Sequence, residues 1–246
     1  MSPRRGSRDG VTSLDDVEVV PRYLAGDAAC RDDAFAELPS GEWRLFPDER
    51  GNCYVTSRLH HVLIAVVPYP SKLVPHATAL WQIRARKGLD GPWLWTAAFS
   101  DDTPPELIAA LAGAVNEDLA EGHEGRQRCL YGNDRPHAVW DILHEAGWYV
   151  SADGWHHEAT SPDGLVHFCY RSPGARGRRP LACGEAWRIA VLPTPGATRP
   201  LWEADFHSAT PAHLIAAFTE ALVDPRPLTR QTDTVPHAAR AFTRPR

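Results

Sequence analysis

Residues 81–86 alternate cleanly, with Trp81, Ile83 and Ala85 on one parity and Gln82, Arg84 and Arg86 on the other. A period of two marks a strand with one face buried and one face open. Trp93, Trp95, Ala97 and Phe99 line one face of the next strand, and Trp202, Ala204 and Phe206 repeat the pattern late in the chain. Leu59 to Val67 is apolar at both parities after its histidines, as expected for a strand buried on both faces, and Leu165 to Tyr170 is its counterpart. Each Trp-lined strand runs into a helical period. Leu107, Leu111 and Ala114 form one stripe, and Leu214, Phe218 and Ala221 form the other. Thr103 and Pro104 start the first of these helices, with Glu106 placed to complete a capping box. Thr210 and Pro211 start the second, where His213 replaces the glutamate. Asp118 falls on the line of the first stripe, so that helix is expected to leave the core there, and Asp224-Pro225 stops the second. Shorter helices are predicted over 32–38 and 136–146. Hairpins are predicted from Trp43–Phe46 to Cys53–Ser57 and from Trp148–Val150 to His156–Thr160.

The order of elements occurs twice. Trp95–Val115 and Trp202–Leu222 are identical at ten of 21 positions with a constant offset of 107, and Phe35–Trp43 corresponds to Trp140–Trp148. The fold class is therefore α+β. Two repeated units are expected, each a short helix, about five antiparallel strands and a C-terminal helix packed on the sheet. The expected organisation is a disordered tail over 1–16, a first repeat over 17–122, a linker over 123–135, a second repeat over 136–228 and a disordered tail over 229–246.

Composition refines this picture. Nine Trp supply a large apolar area, most of it expected to be buried. A net charge of −5 argues against a surface made wholly for nucleic acid. Five widely spaced Cys with no C-x-x-C pattern indicate reduced thiols and a cytoplasmic setting. No apolar run suggests a membrane span, and the first residues lack the apolar stretch of a signal peptide.

Candidate chemistry is sparse. No G-x-S-x-G, Walker or G-x-G-x-x-G motif is present, so neither an enzyme nor a cofactor is expected. Cys53 beside His60 and His61 is one conceivable nucleophile arrangement. His157, His167 and Cys169 on neighbouring strands offer zinc-type ligands without the usual tight spacing. Partner binding is a better use of the charged residues. Arg84 and Arg86 share the polar face of their strand, whereas Arg188 is expected to pair across strands with Glu203 and Asp205. Arg171, Arg176, Arg178 and Arg179 belong to a basic connection between two strands.

Val19-Val-Pro-Arg-Tyr-Leu-Ala-Gly26, together with W-x-A-x-F running into T-P-x-x-L-I-A-A in each half, resembles the actinomycete (Streptomyces-type) domain of unknown function 317. The resemblance implies two tandem copies and a link to mobile elements; it implies no chemistry. The second copy retains only Leu130-Tyr-Gly-Asn-Asp of the opening motif. The expected function is a non-catalytic module that binds a protein partner through a pseudo-dimeric surface. The alternative is a nucleic-acid-binding protein using a sheet surface and the Arg-rich loop 171–179, since the repeated order resembles in outline the saddle of TATA-binding proteins. No membrane partner is expected.

Overall fold

The two Trp-lined strands meet at the centre of the molecule. The computed structural model describes residues 16–26, 35, 38, 42–74, 79–132, 136–153, 156–171 and 185–246. The first copy supplies β2 (Trp43–Pro47), β3 (Cys53–Ser57), β4 (Val62–Val66), β5 (Trp81–Arg86), β6 (Trp93–Phe99) and α1 (Pro105–Ala120), after a short β1 (Asp16–Val19). Next come α2 (His123–Tyr131) and α3 (His137–Glu145). The second copy's strands are β7 (Tyr149–Ala152), β8 (His156–Thr160), β9 (Val166–Arg171), β10 (Glu185–Val191) and β11 (Trp202–His207), followed by α4 (Ala212–Val223). The chain closes with β12 (Leu228–Gln231) and β13 (Thr243–Pro245).

Ten strands form one antiparallel sheet in the order β2-β3-β4-β5-β6-β11-β10-β9-β8-β7. At the junction Ala97 faces Phe206, Ala98 faces Asp205 and Phe99 faces Ala204. Under the repeat offset, Ala98 and Asp205 are equivalent positions, so a pseudo-twofold axis passes through that rung. Phe99, Phe206 and Phe218 pack there with ring centroids 5.4–5.6 Å apart. One face of the sheet lies beneath the helices. Trp81, Trp95, Trp187 and Trp202 are all buried on it, as the alternation predicts. Phe35 packs on Trp81, and its repeat equivalent Trp140 packs on Trp187, each with centroids 5.7 Å apart.

The opening segments are exchanged between the copies. The Trp202 indole N–H of the second copy donates to the Tyr23 carbonyl at 2.7 Å, and Arg22 pairs with Asp224 at 3.2 Å. Correspondingly, the Trp95 indole of the first copy donates to the Cys129 carbonyl at 2.9 Å, and Arg128 pairs with Asp118. Arg22-Tyr-Leu-Ala-Gly26 thus matches Arg128-Cys-Leu-Tyr-Gly132 in place as well as in sequence. The weak second opening performs the same structural task as the first, clasping the Trp of the other copy.

Several expectations change. The linker 123–135 contains α2, whose few apolar residues give no periodic signal; Gly125, Cys129 and Leu130 bury its inner side. Residues 229–246 do not fray. β12 and β13 flank β1 in a three-stranded sheet, and Val235 and Ala239 enter the core. Asp16 belongs to β1, and residues 1–15 lie outside the described residues, as does all of the predicted helix 32–38 except Phe35 and Leu38. β4 starts at Val62 rather than Leu59, because Arg58–His61 form the turn. The capping box does not form. The Thr103 hydroxyl is buried without a partner, and Glu106 instead meets Arg230 of β12 through two contacts of 2.6 Å. Asp118 remains buried because Arg128 pairs with its carboxylate and His213 forms a 2.7 Å hydrogen bond with it. No helix among the described residues is long and apolar enough to cross a membrane.

Candidate binding face of the sheet

Side chains of even parity along β5 point away from the helices. Pairing places Phe46, Tyr54, Ala65, Gln82, Ala98, Asp205, Arg188, Cys169, Glu158 and Ser151 in one row across this second face. A neighbouring row in the first copy runs Arg44, Thr56, Leu63, Arg84 and Thr96.

The two halves of this face differ in charge. In the second copy Arg188 contacts Glu203 at 2.7 Å and Asp205 at 3.7 Å, the cross-strand pairing expected from the sequence. Burial works against the Arg188 charge, but Asp205 and Glu203 outweigh it and hold its pKa above the ordinary value. The first copy has Thr96 and Ala98 where those carboxylates stand. Arg84 donates to the Gln82 side-chain oxygen at 2.8 Å, and burial lowers its pKa. Arg86 donates to the His60 carbonyl at 3.0 Å. Among the described residues Arg44, Arg84 and Arg86 form no ion pair.

Arg44 and Arg86 border a groove of about 420 Å³ that is also lined by Phe46, Thr56, His60, Leu63 and Trp93. Leu73 and Leu89 stand at its rim, about half exposed (50% and 57%). The Arg84 and Arg86 guanidinium carbons lie 5.6 and 4.8 Å from the Trp93 ring centroid, within cation–π range. Trp93 was expected on the helix-covered face beside Trp95. A β-bulge between Ala85 and Arg86 sets Trp95 opposite Ala85 and Trp93 opposite Arg86, so the alternation skips a residue and Trp93 joins the groove. His60 has φ 56, a left-handed conformation that costs a non-glycine residue energy; the equivalent turn residue of the second copy is Gly164, with φ 72. At the repeat positions of Arg84, Arg86 and Trp93 the second copy has Ala190, Leu192 and Pro200. The groove therefore belongs to one copy.

Other sequence candidates separate. His157 stacks on Trp140 beneath the helices, whereas His167 and Cys169 occupy the opposite face, so the strand parity divides the zinc-type trio. Among the described residues no three His, Cys, Asp or Glu converge to hold a metal. Cys53 pairs with Val66 at the end of the β3–β4 hairpin remote from His60 and His61. Burial pushes the Cys169 thiol up, and burial followed by the Asp118 charge pushes Cys129 up to about 12, leaving both poor nucleophiles at neutral pH. Arg171 lies at the end of β9, away from Arg84 and Arg86, while Arg176, Arg178 and Arg179 lie outside the described residues.

Residues 56–120 and 160–228, more than half of the chain, match the family described as SPDY: Domain of unknown function (DUF317). Each match begins near the end of the first hairpin and runs through the long helix of one copy. No curated protein and no solved structure matches the chain.

Proposed function

The chain belongs to the SPDY domain family (DUF317), which it carries in two copies, and we propose, on the geometry of the sheet face, that it is a non-catalytic protein-binding module. The partner is captured on the sheet face remote from the helices, in the groove of the first copy. The second copy acts as scaffold, joined through the shared sheet and the exchanged openings. The carrying observation is that among the described residues Arg44, Arg84 and Arg86 form no ion pair, while Arg84 and Arg86 lie against a half-buried tryptophan. Arginine and tryptophan at the edge of an apolar recess are residue types enriched where binding energy concentrates.

Affinity capture from the native host tests this reading with Arg86→Gln and Arg188→Gln variants of the full chain. A partner retained by the wild type and by Arg188→Gln, but lost by Arg86→Gln, supports it. Equal capture by both variants rejects it.

A nucleic-acid reading draws on the ten-stranded sheet covered by helices on one face. Glu158, Glu203 and Asp205 oppose it, since they would face the phosphates of any strand laid across both halves. Electrophoretic shift over a salt series separates the readings: binding that weakens steeply with salt favours nucleic acid, and no shift at low salt removes it.

A further inference from the structure

The groove crosses the first copy from Arg44 on β2 to Arg86 on β5. Three strand spacings of about 4.8 Å separate those strands. Arg44 shares a row with Arg84, and Arg86 lies two residues further along β5, adding about 7 Å along the strand. The two Cα positions are therefore about 16 Å apart on the pleated sheet. Between the cationic ends lie Thr56 and Leu63; Phe46 packs at the Arg44 end and Trp93 walls the Arg86 end. The order Arg44, Leu63, Arg86 is thus cation, apolar, cation.

A matching ligand carries anion, apolar group and anion on one side. In an extended peptide, side chains at i, i+2 and i+4 share a side, and i to i+4 spans about 13 Å. The long guanidinium side chains close the remaining distance. We infer that the groove takes an extended acidic peptide segment with carboxylates at i and i+4 and a large apolar side chain at i+2. The apolar side chain enters the recess against Leu63 and Trp93, and the carboxylates pair with Arg44 and Arg86. This inference rests on the protein-binding reading and names its ligand. Charge complementarity selects an acidic occupant. Leu63 and Trp93 set it apart from a purely electrostatic one, and Glu203 and Asp205 on the other half turn a long anion away from crossing the axis.

Fluorescence anisotropy on the full chain tests it. The probe is a fluorescein-labelled nonapeptide of Gly and Ser with Glu at positions 3 and 7 and Phe at position 5. Saturable binding is expected. Replacing both Glu by Gln, or Phe by Ser, weakens it roughly tenfold or more, as loss of paired charge or of a buried anchor does. Arg44→Gln and Arg86→Gln each weaken it roughly fivefold or more, while Arg188→Gln leaves it unchanged. Arg44 is exposed at the rim, so its variant keeps the fold even if another is damaged. The inference is overturned if the probe fails to saturate, if the Gln peptide binds equally, if Arg188→Gln weakens binding as much as Arg86→Gln, or if a single-stranded oligonucleotide binds more tightly at the same groove. A partner captured in an Arg86-dependent way by a protein that ignores the nonapeptide removes this ligand chemistry alone. A partner retained by Arg86→Gln removes the reading that this groove captures a protein.

Discussion

Trp202→Phe probes the exchanged openings. Trp202 is 1% exposed, and its indole N–H reaches the Tyr23 carbonyl at 2.7 Å. Phenylalanine has no such donor, which leaves a buried carbonyl unpaired at a cost of about 1–3 kcal/mol. It also removes about three ring atoms from a close-packed site, worth about 2 kcal/mol. The expected loss is about 3–5 kcal/mol, a large part of the roughly 5–15 kcal/mol that holds a typical domain folded. Urea unfolding followed by far-UV circular dichroism measures the total. Hydrogen exchange with mass spectrometry locates it. Although residue 202 lies in the second copy, the amides that lose protection should be those of Leu24 and Ala25, which close the turn at the start of the first. The companion Trp95→Phe should loosen α2 instead, through the carbonyl of Cys129. A loss below about 1 kcal/mol, or loosening of α2 by the 202 variant, would falsify the crosswise clasp.

His60→Gly relieves a left-handed turn residue while keeping the carbonyl that accepts from Arg86. Stability by urea midpoint should hold or rise by up to about 1 kcal/mol, and nonapeptide affinity should fall as the imidazole leaves the groove; a marked stability loss contradicts the strain argument. Ending the chain after Pro227 removes Leu228, Val235, Ala239 and the buried partner of Glu106. A clear drop in melting temperature is expected, and an unchanged value would mean the terminal strands are ornamental. The Asp224 carboxyl is held at about 2, below its ordinary 3.8, first by hydrogen bonding from Arg226 and also by Arg22, against the opposing effect of burial. Because the folded pKa is depressed, its contribution is present above 3.8 and is lost as pH falls through about 2. Asp224→Asn should flatten acid unfolding across that window, and an unaltered profile counts against the pairing. In native protein at pH 8 Cys129 should resist Ellman's reagent until denaturant is added, whereas prompt labelling would contradict its burial.

What the chain's pattern discloses is set by which forces act locally. The alternation in Trp81–Arg86 and the shared Trp-x-Ala-x-Phe strands are local, and the observed β5, β6 and β11 follow them. Arg84 and Arg86 were legible as an open-face pair for the same reason. Trp93 was not, because a bulge depends on how the partner strand sits; Gly91-Pro92 before it and the mismatch with Pro200 were the available signals. Phe46, Leu63 and Arg44 come from strands distant along the chain, and their convergence appears only once register is known. Asp118 read as a helix exit because its partners, the Arg128 guanidinium and the His213 imidazole, lie on other elements. The final residues look frayed since Pro, Thr and Arg dominate them, yet backbone pairing with β1 needs little side-chain apolarity.

The rung at Ala98 and Asp205 has an evolutionary implication. Had the same interface joined two identical polypeptides, any substitution would have appeared on both sides of the axis at once, and a cation-rich recess would have come in pairs. Covalent fusion releases that constraint. One half was free to specialise while its twin kept a lattice of cross-strand paired charges, and a symmetric framework came to present an asymmetric surface.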